Sequence, residues 1–227
     1  MGRLDWDQNA YHHRVLLRQL PSHCGRVLDV GGGAGALATR LAARADRVDA
    51  MDRSPEMISI ARVAAPANVE CIAADFMDCE LPARTYDAVV SLSTLHHLPL
   101  EPALRRMAAS LRPGGVLAAI ALPKTDLPRE LAVEAVAAPG YRLLGAAFAV
   151  ARATGRGHGF RREPSHDAMP VVLDPTLTTR AVRATAHSVL PGARVRRLLF
   201  WRYLLTWRKP DRSQPVASGR SPPCHAR

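Results

Sequence analysis

The sequence predicts an α/β protein, a doubly wound, largely parallel sheet with helices on both faces. Three observations predict it. From Arg26 to Leu122, short apolar runs alternate with helix-forming stretches. The first of these runs breaks into glycines just before a helix, at Val27-Leu-Asp-Val-Gly-Gly-Gly-Ala-Gly35. After Pro123 the alternation gives way to a long helical stretch, and the chain then closes on two neighbouring strand signals.

The elements follow in order. Trp6–Leu20 reads as an amphipathic leading helix with Tyr11, Val15, Leu16 and Leu20 on one face, ended by the break at Pro21–Gly25. Arg26–Val30 is a strand, Ala36–Ala45 a helix and Arg47–Met51 a second strand. Pro55–Ala64 is a helix with Ser54 as its N-cap and Pro55 at its first position. Val69–Ala73 and Tyr86–Ser91 are strands, and Leu100–Leu111 is a helix. Arg112–Gly115 is a sharp turn before the fully apolar strand Val116–Leu122. Asp126–Ala153 is helical with a break at Pro139-Gly140, and Thr154–Pro175 is a loop of lid-like length. Thr176–Leu190 is a helix. Arg194–Phe200 and Tyr203–Arg208 are strands too close for a crossover, so they pair antiparallel. The Pro/Ser/Arg-rich residues from Pro210 to Arg227 read as a disordered tail.

A strand that breaks into glycines before a helix lets the backbone approach a nucleotide-like ligand. Gly31-x-Gly33-x-x-Ala36, with Asp52 further on, fits a relaxed dinucleotide fingerprint, so a nicotinamide cofactor is one reading. The acids favour another. Asp29 precedes the glycines, where a carboxylate can meet a cationic amino group. Asp52 ends the second strand, where it can accept from two ribose hydroxyls. Asp75 and Phe76 follow the third strand, placed for a base amino group and ring. Three acids at successive strand ends form a row along the sheet edge where open α/β sheets bind ligands.

These segments, together with Val48-Asp-Ala-Met-Asp52, Tyr86-Asp-Ala-Val-Val-Ser91, Leu95-His-His-Leu98 and Leu111-Arg-Pro-Gly-Gly-Val-Leu117, resemble the successive motifs of the class I S-adenosylmethionine-dependent methyltransferases. The resemblance spans roughly Gly25 to Leu122, and the closing strand pair is similar to that family's antiparallel end. It implies a Rossmann-like seven-stranded sheet of order 3-2-1-4-5-7-6 with the last strand antiparallel. The implied organisation is a leading helix or lid over 1–24, a methyltransferase domain over 25–209 and the tail 210–227. A helical cap insertion occupies 124–175. The implied cofactor is S-adenosylmethionine, leaving as S-adenosylhomocysteine. Gly31, Gly33 and Gly35 would line its methionine and ribose portion, with Asp29 beneath the methionine end. Asp52 would bind ribose, Arg53 would lie beside adenine, Asp75 and Phe76 would contact adenine, and Ser91 would approach the methionine part. Gly32 departs from the small residue or Cys common in that family.

Other residues have two readings each. His96 and His97 follow the fourth strand as candidate general bases, with packing as the alternative. On the leading helix, Tyr11 is assigned to the cofactor and His12 is a third candidate base, with a surface helix carrying a buried tyrosine as the alternative. Ser93 and His96 stand where some related O-methyltransferases hold a metal with acids, which argues against a metal. His158, His166 and Asp167 lack compact ligand spacing and read as substrate-facing, while Arg161 and Arg162 read equally as contacts to an acidic substrate group or as solvated side chains. Trp201 and Trp207 read as filling the sheet core or edge.

Composition bounds the rest. At 227 residues, 48% hydrophobic and 22% charged, the chain can bury one substantial core. The four cysteines, Cys24, Cys71, Cys79 and Cys224, form no Cys-x-x-Cys pair and read as free thiols. The net charge of +11 comes largely from arginines spread along the chain, a composition bias rather than a nucleic-acid footprint. There is no signal-peptide pattern, and Glu134, Pro139 and Arg142 interrupt the longest apolar stretch, Leu131–Ala153. A cytoplasmic protein without a membrane span is the expectation. Nothing in the sequence reads on oligomeric state.

The expected reaction is methyl transfer to an O or N atom of a small molecule, with a secondary metabolite or quinone-like acceptor. Its alternatives are a non-catalytic cofactor-binding protein of the same fold, an NAD(P)-dependent oxidoreductase, and a peptide or RNA methyltransferase. The oxidoreductase would need a site such as Tyr-x-x-x-Lys, which the sequence lacks.

Overall fold

The computed structural model describes residues 6–127, 129–154 and 175–211. Seven strands form one sheet: β1 (Cys24–Val30), β2 (Ala45–Asp52), β3 (Val69–Ala73), β4 (Tyr86–Leu92), β5 (Leu111–Ala121), β6 (Arg194–Leu198) and β7 (Arg202–Arg208). Their order is β3-β2-β1-β4-β5-β7-β6, as expected. All neighbours pair parallel except β7, which runs antiparallel to both β5 and β6.

Strands β1 and β4 are buried on both faces, which is why their sequences are apolar without alternation. Val27, Val48, Val90 and Ile120 face a layer with α1 (Gln8–Leu17) and α2 (Ala36–Ala42). Leu28, Val89, Leu117 and Leu205 face the opposite layer, with α4 (Leu100–Ser110) and α6 (Thr179–Val189). The intervening α3 (Pro55–Ala64) begins as expected, its N-cap Ser54 accepting from the Met57 amide at 3.2 Å. Thr178 caps α6 in the same way. Lys209 donates to the carbonyls of Ala108 and Leu111 at 2.7 and 2.6 Å, satisfying the end of α4.

In the middle of β2, level with Leu28, Asp49 is buried with a dense set of partners. It accepts from Tyr86 Oη at 2.7 Å and from Arg26 Nε at 2.9 Å, with Arg47 also within reach. The Arg26 guanidinium lies over the Tyr86 ring. A buried carboxylate held this way is compensated for its lost hydration.

Three expectations change in detail. The leading helix is shorter, and its buried face is His12, His13, Leu16 and Leu17. Tyr11 instead turns toward Trp6 and Phe200, with ring centroids 5.2 and 5.9 Å away. The turn at Arg112–Gly115 is an excursion inside β5, between the pairs Tyr86–Leu111 and Ala88–Val116. Gly114 sits there at φ +75°. Finally, α5 (Leu131–Ala153) runs through Pro139 unbroken. Pro139 and Ala135 lie on its exposed side, so water can take the carbonyl that proline leaves unpaired. The apolar stretch is therefore one helix long enough to cross a bilayer, but its inner side is seated on the protein, with Tyr141 stacked on Trp6.

Trp207 is buried and donates to the Pro191 carbonyl, as a core residue should. Residues 155–174, with His158, Arg161, Arg162, His166 and Asp167, and residues 212–227, with Cys224, lie outside the described residues.

Candidate active site

Parallel pairing brings the ends of β1, β2, β3 and β4 to one edge of the sheet: Asp29 is level with Ala50 and Val90, and Asp52 with Ala73. A cavity of about 200 Å³ opens there. The glycine turn forms its floor, Met51–Ser54 and Ala74–Phe76 one side, and Leu92–Thr94 with His97 and Leu98 the other. Asp7, Asn9 and His13 of the leading segment close it from above.

The turn needs its glycines. At Gly31 the backbone has φ +75°, and a Cβ would lie 2.0 Å from Thr94 Oγ1. Thr94 in turn donates to the Gly31 carbonyl at 3.3 Å, tying the turn to the end of β4. Asp52 fixes the turn from the other side. Its Oδ2 accepts from the Gly33 amide and its Oδ1 from the Ser54 amide, both at 2.9 Å. Asp52 thus lines the cavity while bracing both the glycine turn and the start of the next helix.

Asp29 is 1% exposed, lines the cavity, and neither carboxylate oxygen has a hydrogen-bond partner. Burial, with the Asp52 charge nearby, pushes its pKa up to about 7. Asp75 holds its own loop by accepting from the Met77 amide at 2.7 Å. Phe76 is buried yet reaches the cavity wall, with the Arg106 guanidinium over its ring. His97 also reaches the wall; burial and the Arg53 charge lower its pKa, so its ring is neutral near pH 7.

Of the residues expected at the site, Asp29, Gly31, Gly33, Asp52, Arg53, Asp75, Phe76 and His97 share this cavity. Five stand outside its walls. Gly35 packs on Ala61 instead. Ser91 is fully buried and donates to the Val30 carbonyl at 3.0 Å, bracing β4 on β1. Tyr11 belongs to the aromatic cluster with Trp6 and Phe200. His12 is 2.7 Å from the Gln8 carbonyl through Nδ1, and burial lowers its pKa to about 4. His96 faces a separate hollow beside Tyr203 and Leu177, its pKa lowered to about 3 by burial and by His97.

Sequence reasoning missed Asn9 and Thr94, and it gave His12 rather than His13 the functional role on the leading helix. Ser93, at φ +58°, donates to Asn9 Oδ1 at 2.8 Å and so ties α1 to the sheet edge. Among the described residues, no group of three or more His, Cys, Asp or Glu is placed to hold a metal ion.

The fold and the row of acids define an α/β protein with a cavity lined by carboxylates at the carboxyl edge of its sheet. Residues 27–115 match the family described as a methyltransferase domain. Over 207 residues the chain is 34% identical to an uncharacterised methyltransferase of Mycobacterium tuberculosis, covering 90% of this chain and 98% of that one. It is also 34% identical, over 114 residues, to a ubiquinone biosynthesis O-methyltransferase of Xanthomonas campestris, covering 48% and 47% of the two chains. In structure it is similar to the N-methyltransferase NodS of Bradyrhizobium japonicum in complex with S-adenosylhomocysteine. The TM-score is 0.58 at 20% identity, with 92% and 91% of the chains covered. A methyltransferase of Aquifex aeolicus gives a TM-score of 0.56 at 18% identity, with 86% and 88% covered. The chain belongs to the class I S-adenosylmethionine-dependent methyltransferases, its cofactor is S-adenosylmethionine, and the oxidoreductase reading falls.

The residues present fit that cofactor. A buried carboxylate lacking any donor suits an ammonium group, and it lines the cavity beside the glycine turn.

Proposed function

We propose that the protein methylates an O or N atom of a small molecule, with a quinone-like or other secondary-metabolite acceptor as the leading class. The observation that carries this is the placement of neutral His97 with the apolar side chains of Leu92 and Leu98 on the wall shared with the glycine turn. The partial match to a ubiquinone biosynthesis O-methyltransferase supports the same acceptor chemistry.

When bound, the cofactor supplies a methyl group already activated on a sulfonium. The task left to the chain is to orient, desolvate and move a proton, and orientation alone can contribute about 7–11 kcal/mol. Asp29 would hold the cofactor's ammonium, Asp52 its ribose, and Asp75, Phe76 and Arg53 its adenine. In this reading the Asp52 carboxylate keeps its amide partners at Gly33 and Ser54 and offers its remaining lone pairs to hydroxyls. Helix α1 covers the cavity through Asn9 and His13, excluding water. His97 takes the acceptor's proton where the acceptor is a phenol or alcohol; a carboxylate acceptor would need no base.

The test is an acceptor screen with the purified full chain, following S-adenosylhomocysteine formation and the mass of the methylated product. Turnover with phenolic or quinol acceptors, and none with peptides or RNA, is expected. Methylation of peptide or RNA instead would contradict the proposal.

A further inference from the structure

Helix α5 is apolar nearly all round, yet much of it faces water. Its inner side meets the protein through Tyr141 and Phe148, both against Trp6. On the outer side, Val136, Leu143 and Val150 are 60%, 71% and 62% exposed. They recur every seventh residue, so at 3.6 residues per turn they form one stripe along a helix about 35 Å long. Leu127 and Leu131 extend the exposed apolar surface at its start. Most of the exposed large apolar side chains among the described residues lie on this one segment. A helix apolar on both sides is normally buried on both, so this face has an occupant to find.

We infer that the outer face of α5 docks the protein on an anionic lipid bilayer, lying in the interface rather than crossing it. Charge decides the partner. The chain carries +11, which draws it to an anionic surface and makes two copies repel each other. Exposed Lys124 and Arg142 flank the apolar stripe, placed to meet headgroups while Leu143 and Val150 enter the acyl boundary. The stripe is also poorly built for pairing with a second α5. The positions that would complete a helix–helix seam are Ala132, Pro139, Ala146 and Ala153 on one side of the stripe and Val133, Gly140 and Ala147 on the other, nearly all of them short or a proline. Because α5 rests on Trp6, next to the segment that closes the cavity, docking would set the cavity's cover close to the bilayer.

The inference does not depend on which acceptor is methylated. The test is co-sedimentation of the full chain with vesicles of phosphatidylglycerol and phosphatidylcholine, for wild type and for Leu143→Gln/Val150→Gln. Both substituted side chains are exposed, and S-adenosylhomocysteine binding checks that the variant is folded. Sedimentation of wild type, weakened about tenfold or more in the variant with cofactor binding unchanged, is expected. If the substituted protein loses cofactor binding, Val136→Gln is measured in its place under the same criterion. Failure of wild type to sediment with the vesicles would overturn the inference, and so would sedimentation that the substitutions leave untouched. A wild-type dimer in sedimentation velocity that the same substitutions dissociate would also overturn it, assigning the face to a second copy.

Discussion

Asp29 is buried at the wall of the cavity, where burial pushes its pKa up to about 7, and the direction of its effect follows. Between the ordinary carboxylate range and about pH 7, the folded chain holds a proton that the unfolded chain has released. This group's contribution therefore falls as pH rises through that window. Asp29→Asn should raise the thermal midpoint of the ligand-free protein above pH 7, with the gain vanishing toward pH 4. The same substitution should weaken S-adenosylhomocysteine binding by about tenfold to a hundredfold, the loss of a charge-assisted hydrogen bond. Calorimetry and thermal melts at several pH values check both. His97 gives the second prediction. With a hydroxyl acceptor, His97→Ala should lower kcat by about 10²–10⁴ while cofactor Kd is unchanged, measured by steady-state kinetics and titration. A weakened Kd with unchanged kcat would assign it to binding. At this scale the acids were legible because each stands at a strand end, where sheet geometry rather than packing decides what it faces. The histidines were not. Which of His12 and His13 meets the cavity depends on the rotation of α1, and Trp6 and Tyr11 set that rotation by packing on Phe200 and Tyr141, far away in the chain.

At the scale of elements, α1 and α5 depart most from their sequence reading, and both do so through tertiary contacts. Helix α1 is held by its cap, Asp7 accepting from the Ala10 amide at 3.0 Å, and by the Asn9–Ser93 hydrogen bond. Asn9→Ala should loosen the cavity's cover, raising cofactor Kd and speeding dissociation in stopped-flow traces while the melting temperature barely changes. Helix α5 passes through Pro139 because the unpaired carbonyl faces water, but the proline still costs the helix a hydrogen bond. Pro139→Ala should therefore stabilise the protein by up to about 3 kcal/mol, read as a higher denaturant midpoint. Six strands were legible to within two residues at each end, from apolar runs ended by turn residues, but β5 begins at Leu111, five residues before the apolar run that signalled it. Proline signalled a helix break because the local rule knows nothing of which side is exposed.

Across the whole molecule, seven strands in the order β3-β2-β1-β4-β5-β7-β6 gather residues from Asp29 to His97 around one cavity. The order was legible only through the resemblance of successive motifs, because periodicity alone gives strands and no neighbours. Filling that cavity should stabilise the entire fold. At a hundredfold excess over Kd, S-adenosylhomocysteine should add about 2.7 kcal/mol, seen as a rise in melting temperature. The central claim is that the acids at the strand ends hold the cofactor, and isothermal titration of S-adenosylhomocysteine into wild type and folded Asp52→Ala tests it most directly. The account predicts micromolar binding to wild type and none measurable to the variant. Equal affinity in the two proteins would contradict it and place the cofactor elsewhere.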